Sequence, residues 1–265
     1  MSEKILVTAS LFIFPEHEEA LRAAGYGVVR VAKPDSTEDE LCEHVRGKVG
    51  YILGGVEKVT EKVLASADTL RAIVFTGADP IGYIPAMDTA SQRGIAVGAC
   101  PGANAYAVGE YTTAVILSMT RNLFEVGRTG DKKFFTAKSL KDQVVGIVGL
   151  GNIGNRVARA MLALGAKRVV YWNRTRKPEL EVGGLEYIES IDELLHVSDI
   201  VTLHMSKAIG DKYIDSAKLA LMHDDALIVN CAFVGAIDND ALYAELSSGG
   251  LRAMQDDPLD ERFAK

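Results

Sequence analysis

The stretch VVGIVGLGNIGNRVARAMLALGA, residues 144–166, decides the fold. Its apolar run Val144–Val148 reads as a buried strand, and Ile153, Val157, Met161 and Leu164 recur at the spacing of one helix face. Between strand and helix stand Gly149, Gly151 and Gly154 in the pattern GxGxxG. Each glycine has its own reason there: Gly149 permits the tight turn, Gly151 lets backbone approach a pyrophosphate, and Gly154 lets helix and strand pack closely. The amides at the helix start, Asn152 and Ile153 among them, then face the anion with the positive end of the helix dipole behind them. Gly165 is the expected helix stop. The segment reads as a dinucleotide-phosphate cradle, with a glycine turn kept for packing alone as the alternative.

Downstream, Val169–Trp172 reads as a second strand, and its end is where NAD-binding proteins place an acid that accepts hydrogen bonds from the ribose hydroxyls. Here that position is Asn173, followed by Arg174, Thr175 and Arg176. A carboxylate about 4 Å from a 2′-phosphate would cost on the order of 4 kcal/mol per unit charge at an effective dielectric near 20, so its absence removes a barrier to NADP. Two arginines add attraction, each charge-assisted hydrogen bond being worth roughly 1.5–3 kcal/mol before solvent lowers it. The expectation is a preference for NADP over NAD, with a merely exposed basic loop as the alternative. Further on, Ser190 with Glu193 reads as a capping box, Ile200–Leu203 and Leu227–Val229 as strands, Asp238 as the lead into ALYAELSSGG, and Leu251 as the start of a last strand. Ligands bind beyond the carboxyl ends of parallel strands, so His204, residues 230–233 and residues 255–257 are expected beside the glycine loop.

Upstream, strand candidates at Ile5–Thr8, Val28–Val31, Tyr51–Leu53, Ala72–Phe75 and Ile95–Val97 alternate with helical segments. Pro15 opens a helix that stops at Gly25, Thr37 with Glu40 forms a capping box for another ended by Gly47, and Thr60 and Asp88 are expected to cap two more. Five strands with four crossovers make a doubly wound unit over residues 1–98, leaving 99–265 as a second domain. Residues 105–127, AYAVGEYTTAVILSMTRNLFEVG, read as one long, widely buried helix, either a core helix between domains or one that also serves a dimer interface. Residues 128–140 read as a polar connector.

Lys and Arg number 29 against 36 Asp and Glu, and the resulting charge of −7 disfavours nucleic acid or an anionic membrane as partner. Cys42, Cys100 and Cys231 stand far apart without a CxxC, which fits a reducing cytoplasm better than a disulfide framework or a zinc site. The apolar stretch Ile5–Phe14 has the length of a signal-peptide core. With Glu3 before it and PEHEE after it, it reads as a first strand and its loop. The longest charge-free window, residues 94–109, is broken by Pro101 and Asn104 and too short to span a bilayer.

KVT at 58–60, RGIAV at 93–97, PGANAYAVGEYT at 101–112, VGIVGLGNIG at 145–154, SDIVTLH at 198–204 and LALMHDDALIVNCA at 219–232 together give a pattern that resembles the D-isomer specific 2-hydroxyacid dehydrogenases. The resemblance implies an α/β protein of two doubly wound parallel-sheet domains: a flavodoxin-like substrate domain (1–98) and a Rossmann NAD(P)-binding domain (99–265). It implies hydride transfer between NADP or NAD and a small 2-oxo or 2-hydroxy acid, and a homodimer built on the long helix. By position it implies that Gly54, Gly55 and Val56, with Thr76, Gly77 and Ala78, form substrate-side loops whose amides meet a carboxylate. Val108, His204, Cys231, Ala232, Phe233 and Asp257 would surround the nicotinamide.

The departures concern the catalytic groups. The family pattern has an arginine after the NxA turn to bind the 2-oxo acid, and this chain has Phe233, whose ring cannot clamp a carboxylate. The family's glutamate position falls near Arg262, with Glu261 one residue away if the register slips. Its general-acid histidine and closing helix would come past Lys265. A positioned acid or base contributes about 10²–10⁴ in rate. The expectation is therefore either a truncated form or altered chemistry, and truncation does not account for Phe233. His17, His44 and His196 are expected on solvated helix faces and His223 in a turn. His204 ends a strand at the crevice, in reach of coenzyme or substrate, without being assigned as general acid. No catalytic residue and no metal spacing is matched. The leading expectation is an NADP-preferring oxidoreductase. Against it stand a catalytically silent NAD(P)-binding homologue with a sensing or partner-binding role and, more remotely, a methyltransferase using an adenosyl cofactor.

Overall fold

Short β-branched runs separated by capped helices build the first part of the chain. The computed structural model describes residues 2–9, 13–33, 35–130, 138–233, 235–256 and 261–264, and the chain divides into Met1–Asn104 and Ala105–Lys265. The first unit runs β1 (Lys4–Thr8), α1 (Pro15–Ala23), β2 (Gly27–Val31), α2 (Glu38–His44), β3 (Gly50–Leu53), α3 (Glu61–Ser66), β4 (Ala72–Phe75), α4 (Met87–Gln92) and β5 (Ala96–Gly98). Its strands pair in parallel in the order β2-β1-β3-β4-β5, the flavodoxin-like winding that reverses between β1 and β3. Pro15 sits in the first turn of α1, where its missing N–H is harmless. The Thr37 hydroxyl accepts from the Glu40 amide (3.3 Å) while the Glu40 carboxylate accepts from the Thr37 amide (2.7 Å), the expected capping box of α2. Thr60 caps α3 by accepting from the Val63 amide. Asp88 does not cap: α4 begins at Met87 after Ala86, and Asp88 lies inside the first turn, where its charge still complements the helix dipole. Leu6, Leu53, Val63, Leu64 and Ile73 lead the core of this unit.

The second unit contains α5 (Ala105–Thr120), α6 (Leu123–Thr129), β6 (Val144–Val148), α7 (Asn152–Ala163), β7 (Arg168–Trp172), β8 (Leu185–Tyr187), α8 (Ile191–Val197), β9 (Ile200–Leu203), α9 (Ser216–Leu219), β10 (Ala226–Asn230), α10 (Asn239–Ser248) and β11 (Leu251–Gln255). Its parallel sheet has the order β11-β10-β9-β6-β7-β8, which read from the other edge and counted within the unit is 3-2-1-4-5-6. Every residue of β6, β9 and β10 is buried, as strands covered on both faces must be.

Further local expectations are corrected. Residues 105–127 form two helices, α5 and α6, because Asn122 takes the left-handed conformation (φ 54°) that asparagine tolerates better than most side chains. Nor is α5 widely buried: Ala105, Gly109, Thr112, Val115, Ile116 and Thr120 make one covered stripe, and Tyr106 is 67% exposed. Leu164 leaves the apolar face of α7 at its frayed end and is half exposed. The Ser190 hydroxyl accepts from the Asp192 amide (3.1 Å), a tighter turn than the box expected with Glu193. His17, His196 and His223 are exposed and His44 is half-buried. Residues 131–137 of the expected connector lie outside the described residues. Among the described residues, no helix is long and apolar enough to cross a membrane.

Candidate coenzyme site

The three glycines after β6 meet three different environments. Gly149 adopts φ 96°, and a Cβ there would come 2.8 Å from the His204 carbonyl oxygen. A Cβ on Gly154 would come 2.1 Å from the Gly149 carbonyl oxygen and 3.2 Å from Ile147. Around Gly151 a Cβ would meet nothing within 4 Å. Gly151 is also the N-cap of α7, with no side-chain cap and no acidic residue in the first turn. The opening amides of α7 are thus left without side-chain partners, in front of open space and at the positive end of the dipole. That cradle fits an anionic diphosphate.

At the carboxyl end of β7, Asn173 is committed to the loop. Its Oδ1 accepts from the Leu150 amide (3.2 Å) and its Nδ2 donates to the Thr175 carbonyl (2.8 Å), fastening the glycine turn to the segment after β7. Arg176 grips Glu181 through two bonds of 2.8 and 2.7 Å and lies 5.3 Å from the Tyr187 ring centroid. The Tyr171 hydroxyl donates to the same carboxylate at 2.7 Å. The Arg176 bonds, then that of Tyr171, hold the Glu181 carboxyl down at about 2. Arg174 is exposed and has no ion-pair partner among the described residues. A pocket of about 390 Å³ opens beside the start of α7, lined by Gly151, Asn152, Asn155, Arg156, Arg159 and Lys177 with two leucines. It holds three cations and no carboxylate. Sequence reasoning passed over Arg156, Arg159 and Lys177. Their signal was the spacing of 152, 155, 156 and 159, the polar face of the helix that follows the glycines.

His204 extends β9, its amide donating to the Val148 carbonyl at 2.8 Å. Its Nε2 lies 3.0 Å from the Thr202 hydroxyl, and its Nδ1 is buried without a partner among the described residues. Burial pulls its pKa down to about 3, so the ring is neutral. Phe233 is half-buried against the core, its carbonyl accepting from Asn230 Nδ2 (3.2 Å), and the Lys207 ammonium stands 6.0 Å from its ring centroid. Asn230 also accepts from the Ala232 amide (3.0 Å) and donates to Gln255 (2.9 Å), which holds the turn bearing Cys231, Ala232 and Phe233 beside the end of β11. Val108 is half-buried on α5, which packs against α7 and β10. Arg262 pairs with Asp240 at 2.9 Å. Asp257 lies outside the described residues.

In the first unit, Gly54–Val56 follow β3 and Thr76–Ala78 follow β4, its immediate neighbour. The Thr76 amide donates to the Leu53 carbonyl at 3.0 Å. Gly54 lies so close to β1 that a Cβ would come 2.6 Å from the Thr8 carbonyl oxygen.

Residues 113–263 match the family model described as D-isomer specific 2-hydroxyacid dehydrogenase, NAD binding domain. The chain belongs to this family. It is 32% identical over 271 residues to a D-3-phosphoglycerate dehydrogenase of Methanocaldococcus jannaschii, covering 99% of this chain and 50% of the relative. It is 31% identical to a hydroxypyruvate reductase of Thermotoga maritima, covering 82% and 71%. Among solved structures it is similar to D-lactate dehydrogenase from Aquifex aeolicus complexed with NAD and lactic acid, with a TM-score of 0.84 and 25% identity over 98% of this chain and 78% of that one. The chain spans half the length of the phosphoglycerate dehydrogenase it matches. Within the family the matched part of its second unit is the NAD-binding domain, and it keeps the GxGxxG glycines at 149, 151 and 154.

Proposed function

We propose that this family member is an oxidoreductase that transfers hydride between a nicotinamide dinucleotide, NADP in preference to NAD, and a small 2-hydroxy or 2-oxo acid. The observation that carries the reading is the uncapped start of α7 at Gly151, open on its outer side and flanked by a cationic pocket. When bound, the nicotinamide ring supplies the hydride donor or acceptor. The chain's own residues bind and orient: the amides from Gly151 to Gly154 hold the diphosphate, with Asn173 bracing the turn. Val108, His204, Cys231, Ala232 and Phe233 would surround the nicotinamide, and the amides of Gly54–Val56 and Thr76–Ala78 would receive the acid. His204 is neutral at pH 7 and serves there as a hydrogen-bonding wall, since a general acid needs a pKa near the working pH.

Arg176 is occupied by Glu181, so Arg174 is the arginine of this loop left to meet a 2′-phosphate, and Lys177, three residues on, lines the cationic pocket. Arg174→Ala is expected to weaken NADP binding about 10–100-fold, the range of one charge-assisted hydrogen bond, and to leave NAD binding unchanged in calorimetric titrations. Equal dissociation constants for NAD and NADP in the native protein would reject the preference.

Phe233 and the Arg262–Asp240 pair favour a second reading, a catalytically silent coenzyme-binding homologue. NADPH absorbance that falls when glyoxylate, pyruvate or hydroxypyruvate is added at high protein concentration supports the enzyme. Absorbance that stays constant supports the silent form. Exposed Tyr106, Tyr111, Leu123 and Phe124 on α5 and α6 support a homodimer. Three cysteines spaced far apart without a CxxC support a cytoplasmic setting.

A further inference from the structure

In GGVEKV, residues 54–59, the apolar and charged side chains are inverted: Val56 is 63% exposed and Glu57 4%. A buried carboxylate is costly unless paired and fully hydrogen-bonded. Glu57 has neither compensation. Among the described residues it forms no ion pair, and its Oε1 accepts a single bond from the Tyr51 hydroxyl at 3.2 Å. Tyr51 in turn accepts from the Thr8 hydroxyl at 3.1 Å, so both protons run toward the carboxylate. Thr8 and Tyr51 are themselves fully buried, which fixes the relay. Oε2 is buried with no partner among the described residues, although an ionised carboxylate offers about four acceptor sites. The group lies in the loop after β3, against the end of β1, where the winding of this sheet reverses and where doubly wound sheets bind ligands.

We propose that Glu57 is a specificity-determining residue whose Oε2, covered until the loop at 54–59 shifts, receives a hydrogen-bond donor carried by the substrate, an ammonium in preference to a hydroxyl. The proposal rests on the reading that the loops at 54–56 and 76–78 take the acid. An ammonium supplies both the missing proton and the missing countercharge, whereas a hydroxyl supplies only the first.

The test uses the full chain saturated with NADPH, which forms no product with a hydroxy acid. Lactate, glycerate and isoserine differ only in carrying hydrogen, hydroxyl or ammonium at C3, and calorimetry reads their affinities. The expected order is isoserine over glycerate over lactate, with isoserine about 10–100-fold tighter than lactate. Glu57→Leu is expected to bring all three to the affinity of lactate. Glu57→Gln, which keeps an acceptor and drops the charge, is expected to remove the advantage of isoserine over glycerate. Equal binding of the three by the native protein, or an order that survives Glu57→Leu, overturns the proposal alone. Absence of binding by any of them shows that the substrate reading beneath it is wrong, and the proposal falls with it. Unfolding midpoints separate function from fold: Glu57→Gln, which keeps an acceptor for the Tyr51 hydroxyl, is expected at or above the native value, whereas Glu57→Leu orphans that buried hydroxyl and is expected lower; a fall of several degrees in Glu57→Gln would assign Glu57 to the fold and overturn the proposal.

Discussion

A methyl group added at Gly154 would stand 2.1 Å from the Gly149 carbonyl oxygen, whereas one added at Gly151 would stand in open space. The two positions therefore separate packing from binding. Gly154→Ala forces helix and turn apart and is expected to cost about 1–3 kcal/mol, the usual range for overpacking, lowering the unfolding midpoint and coenzyme affinity together. Gly151→Ala is expected to leave stability within about 0.5 kcal/mol of native while weakening NADPH about tenfold or more, because its methyl intrudes where the diphosphate approaches backbone. Thermal unfolding and titration of both variants check the pair, and native-like binding by Gly151→Ala would mean that no phosphate lies against that glycine. His204 offers a second separation. An unfolded histidine protonates near 6.5, this one only near 3. Between those values the unfolded chain binds a proton that the native chain refuses, so this contribution to stability is whole above pH 6.5 and is lost as pH falls toward 3. His204→Gln should show a shallower fall of unfolding midpoint than native across that window. Identical slopes would mean that the ring is not held neutral by burial.

At the scale of elements, what could be read in advance was local. The Thr37–Glu40 box, the Pro15 start, the run Val144–Val148 and the glycine turn each lie within a few residues, and the forces that form them act over the same span. The break between α5 and α6 was not legible. Residues 120–123 contain no glycine or proline, and Asn122 adopts its left-handed turn although an asparagine can equally continue a helix. The cap at Ser190 was a choice between amides one residue apart, which pattern alone does not decide. The commitment of Arg176 was invisible for a different reason. Glu181 reaches it across a 3-10 turn and is itself held by Tyr171 from the strand behind, so the pairing depends on how β7 and its following segment fold back. The same applies to Glu57: the inversion with Val56 exists only once β1 and β3 lie side by side.

The whole molecule carries its cores separately. The buried cluster of the first unit runs from Leu6 to Ile95, and the two clusters of the second from Val115 to Leu251, with no buried residue shared. A chain of roughly 160 residues buries enough surface to fold alone, and the glycine cradle, Asn173, Arg174 and the cationic pocket all belong to the second unit. Residues 101–265, cut in the PGAN turn so that α5 keeps its first turn, are therefore expected to unfold in one cooperative transition and to bind NADPH within about tenfold of the full chain. The same segment is expected to turn over no 2-oxo acid, because Gly54–Val56, Glu57 and Thr76–Ala78 lie in the other unit. Circular dichroism, calorimetry and NADPH absorbance read the three properties independently. Binding without turnover would place coenzyme recognition and acid recognition in different units. A segment that folds but no longer binds would mean that the cradle after β6 does not hold the coenzyme by itself, whatever the geometry of its glycines.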